Sequence, residues 1–176
     1  MRIFTIGHSN RSIDAFIALL KREGVDVLAD IRTRPGSRFN PQFNGKALAK
    51  SLEAAGIAYR HIPALGGLRG ESDEPSPNTH WQVGAFRNYA DYAMTSGFRD
   101  GLRELLALGE RHTIAIMCAE ADWHHCHRRI VTDYLLAAGV DVHHILDSGV
   151  EEAAFHDAAT IEPDGRIVYP GEPRLL

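Results

Sequence analysis

Met117 to Arg129 reads MCAEADWHHCHRR, placing both cysteines of the chain, three histidines, two carboxylates and two arginines within thirteen residues. Thiol and imidazole serve metal ligation and nucleophilic catalysis, and arginine serves anion binding. Three chemical readings are open. A zinc site would use Cys118, Cys126 and His127, but structural zinc pairs are usually separated by about two to four residues. These cysteines are eight apart, so His8 or His61 would have to complete the shell. A reactive-thiol site would use Cys118, at a strand end leading towards a helix N-terminus, where amides and arginine favour thiolate. His127 would then be the base or cationic partner and Glu120 an orienting group or acid, with His8 from another strand end. An anion pocket would gather Arg32, Arg34, Ser37, Arg38 and Arg128 around a phosphate or carboxylate, with Ser9 and His61 beside them. The plain alternative is that Cys118 packs as a small apolar side chain.

Several familiar patterns are absent. The phosphatase loop needs an arginine where this chain has His124, and the cysteine spacing is not that of a redox motif. There is no Walker loop, dinucleotide glycine fingerprint or nucleophile elbow. His124 and His125 read as exposed loop, and at most one of His143 and His144 faces a cleft. Tyr89 and Tyr92 read as packing residues, and Trp81 and Trp123 as lids or partly buried aromatics.

The elements that must position these groups alternate between strand and helix. Apolar β-type runs mark strands at Arg2–Ile6, Val25–Ile31, Ile57–Ile62, His112–Cys118 and Val140–Ile145. Helical spacing marks the segment after Ser12 up to Gly24, about Gly45 to Ala55, Gln82 to Met94, Phe98 to Leu108, and the segment from Arg129 to Gly139. The Gly/Pro-rich stretch PALGGLRGESDEPSPNTHW is long for a loop, a feature of functional or mobile segments. Pro163-Asp164-Gly165 predicts a hairpin turn near the C-terminus. The expected fold is a three-layer α/β sandwich: a mainly parallel five-stranded sheet, helices on both faces, and a C-terminal β-hairpin. In such sheets ligands bind beyond the carboxyl ends of the strands. Gly7-His8-Ser9, Arg32-Thr33-Arg34, His61 to Pro63, Cys118-Ala119-Glu120 and His144-Ile145 all fall there.

At 176 residues, 44% hydrophobic and 24% charged, the chain reads as one globular domain, residues 1–176. No apolar run reaches the roughly 20 residues of a membrane span, and the N-terminal run is too short for a signal-peptide core. The expected location is cytoplasmic, with no membrane partner. A net charge of −4 argues against broad nucleic-acid binding. Locally, Arg32 to Lys50 holds five basic residues and no acidic one, with Phe39 and Phe43 available for stacking.

TIGHSN, DIRTRPGSRFNPQFN, YRHIPALGG and MCAEADWHHCHRRIVTDYL, in that order, resemble the domain of unknown function 488 family from about Thr5 to Ile145. Residues 146–176 would then be a C-terminal extension. The resemblance implies an α/β sandwich and singles out Gly7, His8, Ser9, Asp30, Arg32, Pro35, Ser37, Tyr59, Leu65, Gly66, Cys118, Glu120, Cys126, His127 and Arg128. It brings no activity with it. The leading expectation is a Cys/His-dependent hydrolase or transferase for a small anionic or nucleotide-like ligand. Arg32 and Arg128 would hold the anion, Cys118 would attack, and His127 with Glu120 would manage protons; no cofactor is expected. The competing expectation is a noncatalytic nucleic-acid or nucleotide-binding module, and the third is a zinc-dependent hydrolase.

Overall fold

In the computed structural model, which describes residues 1–172, the sheet is built from β1 (Arg2–Gly7), β2 (Val27–Asp30), β3 (Ala58–His61), β4 (Ile114–Cys118), β5 (Asp141–Leu146) and β6 (Gly149–Glu152). Their order is β3-β2-β4-β1-β5-β6, with the first five in sequence parallel and β6 antiparallel to β5. The expected sheet of five strands therefore gains a sixth. β6 escapes sequence reading because its four residues are largely exposed and follow a tight turn at Asp147-Ser148, so neither length nor alternation marks it. The predicted hairpin forms as β7 (Thr160–Ile161) and β8 (Ile167–Val168), with Gly165 supplying a positive φ of 86° in the turn.

Five α-helices cover the sheet: α1 (Ile13–Arg22), α2 (Gly45–Ala54), α3 (Gly84–Ala93), α4 (Ser96–Gly109) and α5 (Arg128–Ala137). Ser12 caps α1 by accepting the Ala15 N–H at 3.1 Å. Asn44 precedes α2, but its side chain instead accepts the Ser37 N–H at 2.6 Å and ties down the preceding loop. The strands alternate between two cores. Phe4, Ile6, Leu28, Ala115 and Met117 pack with Phe16 and Leu20 of α1 and Leu48 and Leu52 of α2. Ile3, Val27, Ala29, Ile114 and Ile116 pack with α3, α4 and α5 through Tyr89, Phe98, Leu105, Ile130 and Leu135. Full burial of each large side chain contributes about 1.5–3 kcal/mol, so this two-sided alternation dominates the sheet's stability.

The helix after β1 and the helix after β4 thus lie on opposite faces, although β1 and β4 are neighbours. Their connections diverge and leave a crevice at the carboxyl end of the sheet. The C-terminal segment packs back onto the α5 side. Ile167 and Tyr169 are fully buried, and the Tyr169 hydroxyl donates to Asp133 of α5 at 2.7 Å. The long loop is held by the same segment, since the Asn78 side chain accepts from Tyr169 N–H and donates to Asp91. Trp81 lies in this core against Phe86 and Tyr169. No helix among the described residues is long and apolar enough to cross a membrane.

Candidate active site

Three connections meet at the crevice. After β4 the chain runs through Ala119 and Glu120 into a short 3-10 turn at Trp123–His125, then Cys126 and His127 lead into α5. After β2 come Arg32, Thr33 and Arg34. The third wall is the long loop, with Gly67 and Leu68, followed by Val83, Ala85 and Phe86 at the start of α3. Together they wall an open cavity of about 480 Å³ lined by Arg32, Thr33, Arg34, Cys118, Glu120, Cys126 and His127 on its polar side. Leu68, Val83, Ala85 and Phe86 form its apolar side. That size falls within the roughly 300–1,000 Å³ of small-molecule sites.

Cys118 and Cys126 meet sulfur to sulfur in the wall of this cavity. Their surroundings differ. Cys126 Sγ accepts the backbone N–H of Arg128, the first residue of α5, at 3.4 Å. It also lies 3.5 Å from His127 Nδ1. Among the described residues, the one hydrogen-bond partner of Cys118 Sγ, at the end of β4, is the Glu120 carbonyl at 3.8 Å. The helix-terminal position therefore belongs to Cys126, where N–H donation and the helix dipole stabilise negative charge on sulfur.

His127 Nε2 lies 3.0 Å from the Ile31 carbonyl, which can only accept; with the proton on that nitrogen, Nδ1 presents a lone pair beside Cys126. Burial lowers its pKa to about 4, and the Arg128 charge adds to that, so the ring is neutral at neutral pH. Gly67 lies against the ring: a Cβ there would come within 2.6 Å of Nδ1, so only glycine lets the loop pass.

On the α1/α2 face of the sheet, Arg32 is buried and bound on every side. Its Nε and Nη2 donate to both oxygens of Asp30 at 2.9 and 2.7 Å, and Nη2 also donates to the Phe43 carbonyl. Tyr59 donates its hydroxyl to the same carboxylate at 2.7 Å. Burial and that carboxylate push the Tyr59 pKa well up. His8 stacks on Phe43 and donates from Nδ1 to the Ser9 carbonyl, so its Nε2 accepts from Arg32 Nη1 at 3.3 Å. Its pKa is lowered, first by burial. His61 holds the Arg32 carbonyl through Nε2 at 2.8 Å.

On the α5 face, Arg128 is 1% exposed. It donates to the carbonyls of Glu120 at 2.5 Å and Ala121 at 3.3 Å, and to Thr5 Oγ1 at 3.3 Å. Among the described residues, its Nε has no partner and no carboxylate pairs with it. Burial draws its pKa down to about 9, which still leaves it cationic at neutral pH. Gly7 sits under the same loop, where a Cβ would overlap the Glu120 carbonyl. His144 bonds Thr5 Oγ1 through Nδ1 at 2.7 Å and is stacked face to face by Trp123.

The expected site residues thus separate. Cys118, Glu120, His127, Arg32 and Cys126 line the cavity. His8, His61 and Arg128 stand behind it, fixing Arg32 and the 120–121 turn. Ser37 closes its own turn by accepting the Asn40 N–H, and Ser9, at a positive φ of 51°, bonds Asn10. Trp123 lies between His124 and His144, and neither Trp123 nor Trp81 lines the cavity. Phe43, expected to be available for stacking, is fully buried against Phe16 and His8, because the 3-10 turn at Pro41–Phe43 folds it into the core. Sequence reading missed the apolar wall, and it placed Thr33 at a strand end without a role; its Oγ1 accepts the Leu68 N–H at 2.9 Å. The one available signal was the unusual length of the loop carrying Gly67 and Leu68. Among the described residues, no three or more His, Cys, Asp or Glu side chains form a group arranged to hold a metal ion.

Residues 12–135 match the family model described as Domain of unknown function DUF488. The chain belongs to that family. The DUF488 match spans α1 through most of α5 and so includes the Arg32 loop, the apolar wall and both cysteines, while TIGHSN precedes it. No curated protein and no solved structure matches the chain. The cavity's place in this DUF488 domain therefore rests on its own geometry.

Proposed function

We propose that this protein is an enzyme performing group transfer through a cysteine thiolate on a small anionic substrate. One observation carries the reading: two sulfurs, a neutral imidazole with a free nitrogen, and guanidinium groups converge on a single cavity at the sheet's crevice. Cys126 Sγ is the attacking atom, because the α5 N-terminus favours its anion and His127 Nδ1 can accept its proton. Arg34 supplies the attraction for the anion: it is exposed at the cavity and has no ion-pair partner among the described residues. Arg32, neutralised by Asp30, contributes shape more than net charge. Glu120 stands at the exposed rim of the cavity. Arg128 positions the 120–121 turn from below.

The test pairs binding with labelling. Inorganic phosphate, sulfate and nucleoside monophosphates are titrated into reduced protein and followed by thermal shift, with Arg34→Ala as the control. Iodoacetamide labelling of Cys118→Ser and Cys126→Ser follows. The expected results are anion stabilisation lost in R34A, and faster alkylation of Cys126 than of Cys118. Absence of any anion effect together with equal thiol reactivity would sink the reading.

A noncatalytic nucleic-acid reading retains one observation, Phe39 at 89% exposure in the acid-free basic segment. It predicts salt-sensitive strand binding that survives replacement of both cysteines.

A further inference from the structure

We infer that the transferred group is a thiyl group, with Cys126 attacking and Cys118 resolving in the reduction of a small anionic disulfide. This rests on the proposed anion-binding, thiolate-dependent site and names its substrate class.

The sulfurs touch, so a mixed disulfide on Cys126 lies within reach of Cys118. The asymmetry of their surroundings assigns the order, since only Cys126 receives a helix N–H and faces a basic nitrogen. Both cysteines are nearly covered, at 2% and 4% exposure, and both line the cavity. Such low exposure of both sulfurs favours a small molecule over a protein disulfide. Arg34 on one wall and Leu68, Val83 and Phe86 on the other suit a substrate that joins carboxylates to an apolar sulfur-bearing chain.

The chemistry balances as follows. Cys126 gives its proton to His127 Nδ1, and its thiolate attacks one sulfur of R–S–S–R. The Cys126–SR bond forms, the S–S bond breaks, and the departing thiolate takes the proton from His127 to leave as RSH. Cys118 then loses its proton and attacks Cys126 Sγ, and the second R–S⁻ takes up a proton and leaves as RSH. Two cysteine thiols are oxidised to one disulfide, and one disulfide is reduced to two thiols. A dithiol reductant resets the pair by the reverse exchange.

The full chain, reduced and freed of reductant, is mixed anaerobically with glutathione disulfide or with the cationic disulfide cystamine. Released thiol and intact protein mass are followed. The expected result is loss of two hydrogens from the protein with two glutathiones released, and a preference for glutathione disulfide over cystamine of about tenfold or more at low salt. R34A should reduce that preference. C118S should stop at a single glutathione adduct on Cys126, and C126S should form no adduct at that rate. Exchange no faster than with a free thiol, or with no charge preference in the wild-type chain, overturns the inference whether or not the variants fold. A C126S chain that still forms the adduct overturns the assigned order. If the exchange fails while phosphate still stabilises the protein through Arg34 and Cys126 still alkylates faster, the general anion site stands and only the thiyl chemistry falls. Loss of all three removes both.

Discussion

The two faces of the sheet solve the same problem in opposite ways just below the cavity. On the α1/α2 face, Arg32 is buried with Asp30, Tyr59, His8 and the Phe43 carbonyl, and each of its donor nitrogens has a partner. On the α5 face, Arg128 is buried on carbonyls and a hydroxyl, and among the described residues its Nε is unpaired and no carboxylate forms an ion pair with it. Among the described residues, His144, next in the same network, also keeps an unpaired Nε2. A buried cation with its carboxylate is a stiff pillar, whereas one held by backbone carbonyls makes its own position depend on the turn it holds. The first face therefore anchors the anion wall, and the second ties the thiol wall to the conformation of the 120–121 turn.

The most severe test is Asp30→Asn, which strands a buried guanidinium and should cost about 3–5 kcal/mol in urea unfolding. If Arg128→Met costs as much, the contrast between the faces is wrong. Gly7→Ala comes next. A methyl group there must displace the Glu120 carbonyl, so a loss of about 1–3 kcal/mol is expected, together with altered alkylation of Cys118 and Cys126.

Acid probes the imidazoles on the α5 side of the sheet. His127 and His144 have pKa values lowered by burial to about 4 and about 3, below the ordinary 6.5. As pH falls below 6.5 the unfolded chain takes up protons that the folded chain refuses, so stability is complete above that value and declines down to the folded pKa values. Each such histidine contributes a slope of at most about 1.4 kcal/mol per pH unit. His144→Asn should flatten the fall in melting temperature between pH 6.5 and 4, and an unchanged slope would show that His144 does not couple to folding. Arg128→Met should have the smallest effect on stability, about 1 kcal/mol, because relief of desolvation offsets the lost hydrogen bonds. Its larger signature should be loss of the difference in alkylation rate between Cys126 and Cys118.

Much of the fold is legible without coordinates. The five parallel strands have apolar runs, and glycines at positions 24, 56 and 139 carry positive φ just past their helices. β6 is not legible, because a short exposed strand formed across a tight turn has no apolar periodicity of its own. The strand-end rule led from sequence to Arg32, Cys118 and Glu120, and all three line the cavity. It could not separate Arg32 and Arg128 from Arg34, since all three are basic residues beside a crevice. Nor could it see the apolar wall, whose residues belong to a loop and a helix start brought in from the far side.

Sequence by itself determined the alternation of strands and helices, the parallel sheet and the edge where chemistry-bearing residues collect. These follow from hydrophobic periodicity and chain connectivity, which are local or nearly so. Tertiary structure alone decided that Cys118 and Cys126 meet, that Cys126 takes the helix terminus, and that Arg128 turns beneath the site while Arg34 faces it. The reason is physical: in a loop, side-chain direction is set by whichever distant carbonyl, carboxylate or ring satisfies the polar group. Here those partners are Thr5 for Arg128 and Ile31 for His127, which come from other strands and their ends.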